Sequence, residues 1–276
     1  MAAGKAAERM LTALRDQLEA QCAQALLVVP LAPVAGVSGD TTVVVAGHPV
    51  PNAASADAGA RALAAARHLG PDDRLIALLS GGASALLAAP APPVTLADKV
   101  ALTRELLAAG ASIDELNAVR KHVSSVKGGR LAASTRAAVT TFALSDVVAP
   151  REDDPSVIGS GPTVVDSSTF ADALTVIERH RLRTRVPASV IARLERGVRG
   201  EEPETPKRKA EGPGGWAWHL VGSRRDAMRA AGVAARRLGY TPLIVDSRSP
   251  ERLAPPVRLY CRGRWRAPAK GVRPVA

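Results

Sequence analysis

Cysteine and aromatic residues are scarce in this 276-residue chain, and each shortage excludes something. Two cysteines, Cys22 and Cys261, cannot form the disulfide framework of a small secreted domain. No Cys/His spacing suggests zinc, so a reducing, cytoplasmic setting is expected. Aromatics make up 3% of a chain that is 46% hydrophobic, so the core must be built from Ala, Val and Leu. No run of about 20 apolar residues offers a membrane span, and the first residues lack the basic-then-apolar pattern of a secretory leader. No membrane partner is expected. Acidic residues are also short, 26 against 37 Lys and Arg, for a net charge of +11. Much of that excess lies beyond Asp246, where eight Arg and Lys face Glu251 alone. This tail shows no alternation, helical period or N-cap, so nucleic-acid binding is set aside. Three motifs are missing as well: the P-loop spacing of Gly, Lys and Ser/Thr, the dinucleotide fingerprint G-x-G-x-x-G, and a nucleophile elbow.

What is present reads as α/β. Apolar, β-rich runs occur at 25–29, 41–46, 74–79, 138–144, 217–221 and 241–245, with helical patterns between most of them. Thr95 with Asp98, Ser112 with Glu115, Thr169 with Asp172 and Ser223 with Asp226 each match the capping box that opens a helix. After Ser112, the positions Leu116, Val119, Val123 and Val126 follow helical spacing. Strands that are apolar throughout and alternate with helices predict a doubly wound, mostly parallel sheet with helices on both faces, a Rossmann-like architecture. One domain is expected over 1–246, interrupted by a polar, Pro/Gly-rich loop at 200–215. Residues 247–276 form a basic tail onto which no structure is forced. The Gly4-Lys5 turn would ordinarily follow a strand, and no strand pattern precedes it, so a chain cut at both ends is expected.

In such sheets ligands bind beyond the carboxyl ends of the strands. "SGGAS", Ser80 to Ser84, follows a strand and opens a helix. Gly81 and Gly82 leave backbone N–H groups uncovered, while Ser80 and Ser84 add hydroxyls, so the turn can hold a phosphate or carboxylate or serve packing alone. In "NAVRKHVSSVKGGRL", Asn117, Arg120, Lys121 and Ser124 recur on one helical face, and Lys127 and Arg130 bracket Gly128 and Gly129. Gly128 as a helix C-cap accounts for part of this stretch; a polyanion site accounts for all of it. Asp146 ends a strand, where a carboxylate can hold Mg²⁺, accept a hydroxyl proton, or simply cap a turn. Ser160 and Gly161 lie in the bare turn "IGSGPT". Gly4-Lys5 offers an anion cradle with a mobile charge. His48, in "AGHPVPN", is read as structural.

The ordered set "GHPVPN", "SGGASALL", "GASIDELNAVRKHVSSVKGGRLA", "SDV", "DDPSVIGSGPT" and "ETPK" resembles the glycerate 2-kinase family, whose C-terminal half bears the MOFRL domain and some of whose members are labelled hydroxypyruvate reductases. The likeness runs from about Gly4 to Asp246. It implies ATP- and Mg²⁺-dependent phosphorylation of D-glycerate to 2-phosphoglycerate in a cleft between two α/β domains. By position it implies Lys5, Lys127 and Asp146 as catalytic groups, with Asp146 also the metal ligand. Ser80, Gly81, Gly82, Ser84, Asn117, Arg120, Lys121, Gly128, Gly129, Arg130, Ser160 and Gly161 would bind substrate or phosphates. The family has a helix and strand ahead of "GKAA", usually Pro-Gly-Asp after "SDV" where this chain has "VAPREDDPS", and a C-terminal domain whose Gly-Gly-Glu and Gly-Arg-Asn signatures are absent here. Weak or no turnover is therefore expected of this chain. A non-catalytic anion-binding remnant and a hydroxypyruvate reductase stand as alternatives, and a homo-oligomer is left open.

Overall fold

The computed structural model describes residues 1–18, 24–33, 40–148, 151, 154–208 and 215–242. Its centre is a sheet of six strands: β1 (Ala2–Ala3), β2 (Ala25–Val29), β3 (Thr41–Val45), β4 (Arg74–Leu79), β5 (Ala138–Ser145) and β6 (Trp216–Ser223). Their spatial order is β3-β2-β1-β4-β5-β6, and every neighbouring pair is parallel. The expected doubly wound sheet is therefore present. Its direction of winding reverses between β1 and β4.

Side chains alternate across the sheet, which gives it two buried faces. Leu26 and Val28 of β2 join Leu75 and Leu79 of β4 on one face. There they pack with Ala58 and Ala62 of α2 (Ala53–His68), Leu86 of α3 (Ala83–Leu86) and Leu131 of α6 (Arg130–Ala133). Leu27 and Val29 join Leu78 on the other face, against Ala7 and Leu11 of α1 (Ala7–Leu18). A second, helical core lies apart. It is built by Leu102 and Leu106 of α4 (Leu96–Ala108), Leu116 and Val119 of α5 (Ile113–His122), Phe170 and Ile177 of α7 (Phe170–Arg179), and Val190 and Leu194 of α8 (Ala188–Val198). After β6 the chain enters α9 (Arg224–Arg237).

All four capping boxes form, at Thr95, Ser112, Thr169 and Ser223, and a fifth at Asn52 uses Ser55 as its reciprocal partner. Several expectations need correction. A strand does precede the Gly4-Lys5 turn. Two alanines are too few to show a period, and β1 exists because β2 and β4 flank it on both sides. Helix α5 stops at His122, so Ser124 and Val126 lie past its end rather than on its face. Gly128 is accordingly no C-cap of that helix, and Gly129 instead occupies the N-cap of α6. In the described part of the polar loop at 200–215, Thr205 is buried, and the Glu204 carboxylate accepts from the backbone N–H groups of Phe170 and Thr205. The strand expected at 241–245 lies from residue 243 outside the described residues, as do Cys22, Cys261 and the whole basic tail.

Candidate active site

The switch point between β1 and β4 is where such sheets open a crevice, and two of the glycine turns meet there. The Ser80 amide donates to the Ala3 carbonyl at 3.0 Å, the Lys5 amide to the Gly81 carbonyl at 2.9 Å, and the Ala6 amide to Ser80 Oγ at 3.0 Å. At Gly4 the approach is so close that only glycine fits. A Cβ on Gly4 would lie 2.1 Å from Ser80 Oγ, and one on Gly81 would lie 2.0 Å from Asp146 Oδ2. Asp146 follows β5 and thus leans over the "SGG" turn. Lys5 Nζ sits 3.6 Å from its Oδ2, with the two side chains 55% and 60% exposed. A pair so solvated adds little to stability and leaves both charges open to a ligand. The N–H groups of Gly81 and Gly82 donate to no atom among the described residues. Gly82 is the N-cap of α3 and presses against His48.

One helical turn further on, a buried polar network begins. Lys127 Nζ donates to the Ser84 carbonyl and Ser84 Oγ, both at 2.9 Å, and to the Gly159 carbonyl at 3.3 Å. Ser84 Oγ shares a hydrogen bond with Ser160 Oγ, and Ser160 Oγ donates to Asn117 Oδ1 at 3.0 Å. Lys99 and Arg120 complete the cluster. Burial pushes Lys127 well below the ordinary lysine range, and the charges of Lys99 and Arg120 push it further. Lys99 is lowered to about 8 by burial and by Arg120. Arg120 falls to about 10 through burial.

Other expected site residues are engaged elsewhere. Lys121 Nζ donates to Asp166 Oδ1 at 3.0 Å in a buried pair that also receives Ser168 and Thr205 hydroxyls. Burial opposes ionisation of Asp166, but the Lys121 charge and hydrogen bond overcome it and hold the carboxyl below its usual value. Arg130 donates to the Pro203 carbonyl at 2.9 Å and lines an open groove of about 650 Å³ with Arg193 and Glu202. The Gly128 and Gly129 amides donate to the Ser160 and Gly161 carbonyls, at 3.1 and 2.7 Å, and the Gly161 amide donates to the Ile158 carbonyl. These turns are bound to each other, which engages the Gly128, Gly129 and Gly161 amides. The structure thus brings Lys5, Gly81, Gly82 and Asp146 together at the switch point. It joins Ser84, Asn117, Arg120, Lys127 and Ser160 behind it, and it turns Lys121 and Arg130 toward the 166 and 203–205 segments.

Lys99 escaped notice in the sequence. The signal was there: Lys99, Leu102 and Leu106 share one face of α4, so a lysine occupies the apolar stripe. Among the described residues, no group of three His, Cys, Asp or Glu could hold a metal, and no helix is long and apolar enough to cross a membrane.

Residues 1–195 match the family described as Domain of unknown function (DUF4147). A protein from Agrobacterium vitis, provisionally named a hydroxypyruvate reductase, is 43% identical over 209 residues, covering 75% of this chain and 51% of its own length. The glycerate 2-kinase of Pyrococcus horikoshii is 38% identical, over 74% of this chain and 45% of its own. The crystal structure of a Thermotoga maritima glycerate kinase superposes with a TM-score of 0.73 at 35% identity, covering 87% of this chain and 54% of that one. The chain spans about half the length of the curated relatives it matches.

Proposed function

The chain belongs to the DUF4147 family, whose matched relatives include glycerate kinases, and from that premise we propose that its switch-point crevice serves ATP-dependent phosphorylation of D-glycerate to 2-phosphoglycerate. One observation carries the reading: the two unengaged amides of Gly81 and Gly82 lie under an exposed Lys5–Asp146 pair. Free amides beside a helix start favour a phosphate. Phosphoryl transfer asks a protein mainly for positioning and charge neutralisation. In this reading the Gly81 and Gly82 amides hold phosphate oxygens, and Lys5 balances their charge. Asp146 orients the 2-hydroxyl of glycerate and takes its proton as the oxygen bonds to the γ-phosphorus and the bond to the ADP oxygen breaks. Asp146 is also the residue that would hold Mg²⁺, an ion usually bound by one or two carboxylates together with substrate phosphates and water, so a single carboxylate fits it. When bound, Mg²⁺ supplies further neutralisation of phosphate charge.

The test is ADP release from ATP and Mg²⁺ with and without D-glycerate. Only weak glycerate-dependent release is expected of a chain that spans about half its relatives' length, with a loss of about 100-fold or more in Lys5→Ala. Gly81→Ala should lose as much, because its Cβ displaces Asp146. Oxidation of NADH by hydroxypyruvate with no ADP release would overturn the reading in favour of the reductase name some relatives carry.

A further inference from the structure

Lys99 and Lys127, both buried, and Arg120, half-buried, are three cations that feel one another's charge, with no carboxylate against any of them among the described residues. Lys99 is 3% exposed and Lys127 1%. The three donors of Lys127 are taken by neutral oxygens of Ser84 and Gly159, which supply hydrogen bonds but no countercharge. Two further groups point to something absent. Asn117 is 4% exposed, and its Oδ1 accepts from Ser160, yet its buried Nδ2 donates to nothing. Arg120 Nε is likewise buried without a partner. Buried donors in folded proteins are nearly always satisfied, and buried charges are nearly always paired. A cluster that violates both rules with donors and positive charge only is complementary to an oxyanion.

We infer that Lys99, Asn117 and Arg120 form a binding site for a small oxyanion, with Lys127 adding its charge from behind, and that the occupant is the carboxylate of the phosphoryl acceptor. The Gly81 and Gly82 amides offer the phosphate cradle, and Ser84, just after them in α3, links to this second site through its hydrogen bonds to Lys127 and, by way of Ser160, to Asn117. Naming the occupant rests on the kinase reading above; the existence of an oxyanion site does not.

The experiment is thermal unfolding of this chain at constant ionic strength in chloride alone, with D-glycerate, with inorganic phosphate, and with ATP. D-glycerate is expected to raise the melting temperature saturably, by about 5 °C at a large excess over its dissociation constant. Lys99→Met should abolish that shift while leaving the ligand-free melting temperature equal to or above that of the unaltered chain. A lysine with a merely structural role would lower it. Arg120→Gln serves as the second variant, with the same loss of response. A glycerate shift that persists in both variants, or no shift with any of the three anions, would overturn the site. A shift given by phosphate or ATP but not by D-glycerate, and lost in Lys99→Met, would overturn the acceptor carboxylate as occupant. Kinase failure separates cleanly: a Lys99-dependent shift without ADP release leaves the site standing and sinks the kinase reading, whereas ADP release with no Lys99-dependent shift does the reverse.

Discussion

Two groups of buried cations sit on either side of the stretch from Asn117 to Arg130, and they are handled in opposite ways. On one side the buried charges of Lys121 and Arg193 each have a carboxylate partner. Lys121 meets Asp166, Arg193 meets Glu202 at 3.0 Å while also donating to the His122 and Pro92 carbonyls, and His122 meets Glu204 at 2.8 Å. These contacts tie α5, α8 and the 202–205 segment into one body. On the other side Lys99, Arg120 and Lys127 face each other and neutral oxygens. Lys and Arg occur in both groups, and Arg120 and Lys121 are adjacent in the chain yet fall on opposite sides. Burial of a charge in a fold is ordinary when a partner is built in; burial without one marks a place whose partner comes from outside.

The comparison breaks most visibly if a built-in partner is removed. Asp166→Ala leaves Lys121 buried and unpaired, and is expected to cost about 3–5 kcal/mol, read as a lowered urea midpoint. A smaller effect follows from pH on the unpaired side. Lys99 titrates at about 8 in the folded chain, against 10.5 for an ordinary lysine. Between those values the unfolded chain holds a proton that the folded chain does not, so stability rises as pH rises through the window. The full penalty is present below pH 8. Arg120 and Lys127 face the same group, and Lys127 acts in the same direction. The gain is at most about 3 kcal/mol. Urea midpoints at pH 7.5 and 9.5 should show the rise in the unaltered chain and a smaller one in Lys99→Met. The smallest effect sharpens the contrast by lying outside both groups. Ser112→Ala removes the side-chain cap of α5 without touching any buried charge, and is expected to cost about 1 kcal/mol with no change in anion response.

Much of the fold was legible. Four capping boxes are legible from pairs three residues apart because that chemistry is local, and five strands show as apolar, β-rich runs, of which β2 and β4 are largely covered on both faces while the edge strands β3 and β6 are partly exposed. β1 was not legible, since Ala2 and Ala3 carry no pattern and become a strand only by pairing on both sides. Of the candidate site, the turns themselves were visible as glycines, and the cations as a cluster in sequence. The roles were not. Helical spacing set Lys121 beside Arg120, but Asp166, some 45 positions away, takes Lys121 and leaves Arg120 alone. Lys99 was hidden because a single lysine among leucines is a weak signal until its neighbours in space are known.

What the chain determined unaided is local: where helices begin, which runs bury, where the backbone is bare enough for a phosphate. These follow from contacts within a few residues and from the periods of helix and strand. Which bare amides stay free, and which cations stay unpaired, was decided only by tertiary structure. Both depend on partners from distant segments, Gly128 on Ser160 and Lys121 on Asp166, and no local pattern records who those partners are.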